Sequence, residues 1–115
     1  MGLDQYASSR HKDSDPELKE SWKEISYWRK HPNLQGWMEK RYREQGGKEE
    51  FNQVDVDITA EVLDQLVKDL DNLPDTQGFF YGASDPGDRD LDIDFILKAR
   101  QALAEDHVII YSSWW

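Results

Sequence analysis

The sequence predicts an α+β fold: a small sheet of about three to four strands covered by about three to four helices, in a single domain spanning residues 1–115. Three observations predict it. Residues 54–58 alternate apolar and acidic side chains with the period-two spacing of a half-buried strand. Segments 59–73 and 90–105 instead carry apolar residues three and four apart, as amphipathic helices do. Finally, 115 residues with five Trp, five Tyr and four Phe supply enough bulky apolar surface for one core, which a disordered acidic chain would lack.

In chain order, Leu3 to Ala7 reads as a short strand, followed by a polar connection over residues 8–15. Asp15-Pro16-Glu17 has the chemistry of a helix start: a capping carboxylate, a proline at the first helical position and an acid at the positive end of the dipole. Leu18, Trp22, Ile25 and Trp28 then share one helical face, until His31-Pro32 interrupts the run. Asn33 caps a second helix with Leu34, Trp37, Met38, Arg41 and Tyr42 on one side, and Gly46-Gly47 provides its left-handed exit.

Phe51 to Ile58 reads as a strand with Val54, Val56 and Ile58 inward. Thr59 caps a helix presenting Val62, Leu63, Leu66, Val67 and Leu70, which ends near Asn72-Leu73-Pro74. Gly78-Phe79-Phe80-Tyr81-Gly82 has the composition of a buried strand, and Asp85-Pro86-Gly87-Asp88 that of a turn. A last helix from Asp90 to Glu105 turns Phe95, Ile96, Ala99, Ala102 and Leu103 inward, and Val108 to Tyr111 closes the chain as a strand before Trp114-Trp115.

Charge is the feature that bears most on partners. Sixteen of the 24 acidic residues follow Lys48, where only Lys68, Arg89, Lys98 and Arg100 answer them; the first 48 residues hold ten basic against eight acidic residues. A field so lopsided repels phosphate backbones and attracts basic protein surfaces. Direct nucleic-acid binding is therefore not expected. The basic and aromatic residues Tyr27, Trp28, Arg29, Lys30, Lys40, Arg41 and Arg43 are interleaved with Glu20, Glu24, Glu39 and Glu44, which reads as solvated helix faces rather than a nucleic-acid groove. The chain has no cysteine, no basic or apolar leader and no run of 18 apolar residues, so a cytoplasmic location without membrane insertion is expected.

The aspartates Asp85, Asp88, Asp90, Asp92 and Asp94 form the sharpest constellation. As a calcium loop they fail: counting from Asp88, position six is Ile93 where glycine is required, and position twelve is Ala99 where a bidentate glutamate belongs. The bland reading is an acidic helix start favoured by the dipole; the functional one is a partner surface that imitates a row of phosphates. Trp114 and Trp115 join that surface as candidates, because adjacent strand residues face opposite sides and cannot both enter one core. No metal ligand set, cofactor motif or catalytic residue is assigned, since His11, His31, His107 and Ser112-Ser113 lack partners at diagnostic spacing.

Four blocks carry a resemblance: Met1-Gly2-Leu3-Asp4-Gln5-Tyr6-Ala7, Tyr27 to Met38, Gly78-Phe79-Phe80-Tyr81-Gly82, and Tyr111-Ser112-Ser113-Trp114-Trp115. Together they resemble a family of small bacteriophage and prophage proteins with a Met-Gly-Leu-Asp start and a Ser-Trp-Trp end. Automated naming sometimes labels such proteins phosphoglycerate kinases, which a chain this short, with no Gly-rich phosphate loop, contradicts. The resemblance implies a role in the cytoplasm of an infected bacterium and brings no catalytic residues with it. The leading expectation is an accessory protein that binds a host protein. The alternatives are a small-ligand binder or enzyme, with Tyr27, His31, Trp37 and Tyr81 around a pocket between sheet and helices, and a self-associating structural protein, a homodimer for instance.

Overall fold

The two ends of the chain meet in the middle of the sheet. In a computed structural model that describes residues 2–78 and 82–115, β1 (Asp4–His11) and β4 (His107–Trp114) pair antiparallel along their full length, from Asp4 opposite Trp114 to His11 opposite His107. Strand β2 (Lys23–Arg29) lies on the other side of β1, and the two-residue β3 (Val56–Asp57) on the other side of β4. The sheet order is β2-β1-β4-β3, all antiparallel. With helices α1 (Pro32–Glu44), α2 (Ala60–Asp69) and α3 (Asp88–Ala104), the fold is α+β.

Residues 23–29 are a strand, not the continuation of a helix begun at Asp15. The local start signals are real but build a turn: Asp15 Oδ1 accepts from Glu17 N–H at 2.9 Å, Asp15 O accepts from Leu18 N–H at 3.2 Å, and one short 3₁₀ turn follows over Lys19–Ser21. Leu18, meant for the core, is 53% exposed. Pairing with β1 offers Lys23–Arg29 a ladder, interrupted by one bulge at Ile25, for a segment that contains Ile25, Tyr27 and Trp28, and tertiary pairing outweighs weak helical periodicity. Lys30, in the left-handed region at φ 58°, turns the chain out of the strand into α1.

Other boundaries shift for similar reasons. Strand β1 runs four residues beyond Ala7, because Ser8 to His11 find ladder partners in Ile110 to His107 and a backbone ladder tolerates polar side chains. The expected strand over 51–58 keeps its alternation, with Val56 and Ile58 buried, but shrinks to two residues because Gln53 takes a left-handed φ of 59°. Helix α2 starts as expected, with Thr59 Oγ1 accepting from Val62 N–H at 3.2 Å. Gly46, at φ 92°, supplies the exit from α1. Of the expected strand at Gly78–Gly82, residues 79–81 lie outside the described residues.

The helices cover one face of the sheet. Ala7, Trp28, Ile109 and Tyr111 meet Leu34, Trp37 and Met38 of α1, Leu63 and Leu66 of α2, and Phe95, Ile96 and Ala99 of α3 in one buried cluster. Trp28 sits edge-on to Phe95 with centroids 5.2 Å apart, a geometry worth about 1 kcal/mol beyond the area it buries. No helix among the described residues is long and apolar enough to cross a membrane.

Candidate functional site

The most concentrated buried polar chemistry surrounds His31, at the corner where β2 turns into α1. The inward period of α3 that selects Phe95, Ile96 and Ala99 continues backward to Asp92 and Asp88, so these two carboxylates face the core and are buried. Asp92 accepts from Trp28 Nε1 at 2.9 Å and lies 3.0 Å from His31 Nε2. The other ring nitrogen, Nδ1, is 2.8 Å from Ser84 Oγ and 3.5 Å from Asp88 Oδ2. Ser84 Oγ also accepts the first free N–H of α1, from Asn33, at 3.2 Å.

This network continues through the sheet. Gln5 holds the His31 backbone on both sides, accepting from its N–H at 2.8 Å and donating to its carbonyl at 3.0 Å. Gln5 Nε2 also donates to the Tyr111 hydroxyl at 2.9 Å; that hydroxyl donates to Gln35 Oε1, and Gln35 Nε2 to Ser113 Oγ. Every link is buried, and buried polar groups cost several kcal/mol unless paired in this way.

Ser84, His31 and Asp92 have the spacings of a hydroxyl–imidazole–carboxylate relay, with Asp88 as a second carboxylate 3.5 Å from His31 Nδ1. His31, Asp88 and Asp92 cannot share one cation, because the aspartates lie at opposite nitrogens of the ring. Among the described residues no set of three or more His, Asp or Glu side chains converges to hold a metal. The cluster acts as a lock between the β2–α1 corner, the loop at Ser84 and α3.

The residues expected to surround one pocket are dispersed. His31 borders an open cavity of about 370 Å³ with Asn33, Leu73 and Ser84. Tyr27 is on the edge strand, donating its hydroxyl to Asp4 at 2.6 Å, and lines a different cavity. Trp37 is buried under the Arg41 guanidinium, 4.3 Å from the ring centroid, and donates its Nε1–H to Asp69 at 2.9 Å. Tyr81 lies outside the described residues.

The aspartate row is also divided. Asp88 and Asp92 are buried, Asp85 closes its own turn by accepting from Gly87 N–H at 2.8 Å, and Asp94 is bridged to Lys98 at 2.8 Å. Asp90 remains exposed. Helical period separates neighbours that looked equivalent in sequence, so the row is not one exposed surface. The tryptophan pair divides in the expected way: Trp114 is 60% exposed, whereas Trp115 donates its Nε1–H to the Phe51 carbonyl at 2.7 Å.

A longer run of exposed acidic residues, which sequence reasoning passed over, lies at residues 49–64. Glu49, Glu50, Asp55, Asp57, Glu61 and Asp64 occur there, with no Lys or Arg before Lys68. Gln45 brackets the Asp57 backbone with two 2.9 Å hydrogen bonds, which brings the end of α1 beside β3. Asp64 is bridged to Arg100 at 3.1 Å, while Arg89 and Lys98 are occupied by Asp71 and Asp94. The Asp55 carboxyl is pushed above its ordinary value, first by desolvation and then by the charge of Asp57, as expected where carboxylates crowd without a cation. The absence of cations over this stretch was the available signal.

Comparisons with protein-family models, with curated proteins and with solved structures find no match to this chain.

Proposed function

We propose that this chain is a phage-encoded accessory protein that acts by binding a basic surface of a host protein in the infected cell, as an inhibitor or modulator. The observation that carries this reading is the run of six carboxylates from Glu49 to Asp64, interrupted by no cation and answered, among the described residues, by one bridge, from Arg100. Charge on this scale acts mainly on encounter rate and partner choice.

The reading predicts a salt-sensitive complex that depends on residues 55–61. Affinity capture from bacterial lysate at roughly 50 mM and 500 mM salt, around the range where the Debye length shortens from above 10 Å to below 8 Å, tests it. A partner retained only at low salt should associate about tenfold more slowly with a variant carrying Asp55→Asn, Asp57→Asn and Glu61→Gln. An equal rate for parent and variant removes this surface from the function.

A further inference from the structure

The corner at His31 joins a hydroxyl, an imidazole and a carboxylate. Ser84 Oγ is 2.8 Å from His31 Nδ1, and His31 Nε2 is 3.0 Å from Asp92 Oδ2. A carboxylate only accepts, so Nε2 carries the ring hydrogen of the neutral imidazole and the lone pair of Nδ1 faces Ser84. Each part is held by a further bond. Trp28 Nε1 donates to the other oxygen of Asp92 at 2.9 Å, and Gln5 fixes the His31 backbone from both sides. Asn33 N–H donates to Ser84 Oγ at 3.2 Å, which occupies one lone pair and leaves the hydroxyl hydrogen for Nδ1. A nucleophile bonded to a base that a third group orients is the arrangement that activates a serine.

Asp88 and Asn33 add the means to stabilise charge. Asp88 Oδ2 stands 3.5 Å from Nδ1, beyond ordinary hydrogen-bond length, and is held there by Asp85 N–H at 2.7 Å. Its charge favours the imidazolium that forms when Nδ1 takes a proton. Asn33 borders the same cavity as Ser84 and His31. Its Oδ1 accepts from Thr76 N–H at 3.1 Å, which fixes the amide, and among the described residues its Nδ2 meets no acceptor. A free amide N–H beside a nucleophile is a donor for a developing oxyanion. The cavity, about 370 Å³, is at the small end of the size range of ligand sites, with Leu70 and Leu73 as apolar wall. Asp71, Asp85, Asp88 and Asp92 line it against one cation, Arg89, which is bridged to Asp71, so anionic substrates are repelled.

We propose that this corner is a second functional site, a hydrolytic centre for small uncharged carboxylic esters, with Ser84 as nucleophile, His31 as base, Asn33 as oxyanion donor and Asp92 as a positioning residue. Ser84 Oγ bonds to the ester carbonyl carbon as its hydrogen passes to His31 Nδ1. The tetrahedral oxyanion collapses, the carbon–oxygen bond to the alcohol breaks, and the alcohol leaves with the hydrogen from Nδ1. Water then adds to the acyl carbon and gives a proton to Nδ1, and the acid departs as that proton returns to Ser84 Oγ. The inference stands apart from the acidic run at residues 49–64 and does not need it.

The test incubates the full chain with p-nitrophenyl acetate and follows p-nitrophenol release, then maps acetyl groups by peptide mass spectrometry after an acid quench. The expected result is an acetyl group on Ser84, release no faster than buffer for Ser84→Ala, and kcat about 100-fold lower for Asn33→Ala with KM little changed. Asp92→Asn should also lower kcat at unchanged KM, in a protein whose near-ultraviolet circular dichroism matches the parent. Ser84→Cys keeps a nucleophile in place, and its acetylation at position 84 supports the site even where Ser84→Ala fails to fold. The parent rate in Ser84→Ala, acetylation confined to lysines or tyrosines, or a parent inert to both the ester and a fluorophosphonate overturns the site. Each of those outcomes leaves the reading of residues 49–64 standing.

Discussion

His31 Nε2 lies 3.0 Å from Asp92 Oδ2, and the same carboxylate accepts from Trp28 Nε1 at 2.9 Å, so one aspartate on α3 holds both sides of the β2–α1 corner. Truncating Asp92 to Ala strands two buried donors. The expected cost is about 3 kcal/mol, in the range measured when one member of a buried pair is removed. Asp92→Asn, which keeps an acceptor, should cost roughly half as much by the same reasoning. Urea denaturation with unchanged slope reads both values; equal losses would show that shape, not hydrogen bonding, is what Asp92 supplies.

Asp69 predicts a pH dependence. Its carboxyl is held below the ordinary value, first by the hydrogen bond from Trp37 and then by that from Gln65. A folded-state value below the unfolded one, about 3.9, contributes stability above that pH and loses it as pH falls through the folded value. Urea midpoints between pH 5 and 2 should therefore fall more steeply for the parent than for Asp69→Asn. Parallel curves would place the acid sensitivity elsewhere.

Gly36 is inside α1, where glycine is ordinarily the weaker choice. A Cβ there would lie 2.0 Å from Thr76 Oγ1 and 2.9 Å from Thr76 Cβ, so the loop after α2 rests directly on the helix backbone. Gly36→Ala is expected to lose about 1–3 kcal/mol through overpacking, despite its better helix propensity. Adding Thr76→Ala should recover part of that loss, a coupling that a double-mutant cycle measures.

The terminal tryptophans should behave oppositely. Trp114→Ala removes an exposed ring and is expected to change the melting temperature by no more than a few degrees. Trp115→Ala removes the Nε1–H bond to the Phe51 carbonyl and the packing of the ring, leaving the backbone bonds to Asn52, with an expected loss of about 2 kcal/mol, or roughly 8–16 °C in a domain of this size. Sedimentation of Trp114→Ala at unchanged size would also exclude a symmetric contact through the tail.

The helices around residues 34–44, 60–70 and 90–104 were legible from their period, with Thr59 as a cap and Gly46 as an exit; the start of α1 was not, since Asn33, expected as its cap, lies inside the helix behind Pro32 and accepts from Thr76 N–H instead. The charge imbalance, the terminal strands and the opposite fates of Trp114 and Trp115 were likewise written in local order. The state of Lys23–Arg29 was not, because its apolar residues fit a helical stripe and a strand about equally, and only the ladder with β1 decides between them. Tertiary structure alone also brought His31, Ser84 and Asp92 together across 53 and 61 residues of chain, and split the aspartate row into core and surface. Local period is a property of neighbouring residues and can be read from their order; which strand pairs with which, and which carboxylate meets which imidazole, depends on long-range closure that no local pattern encodes.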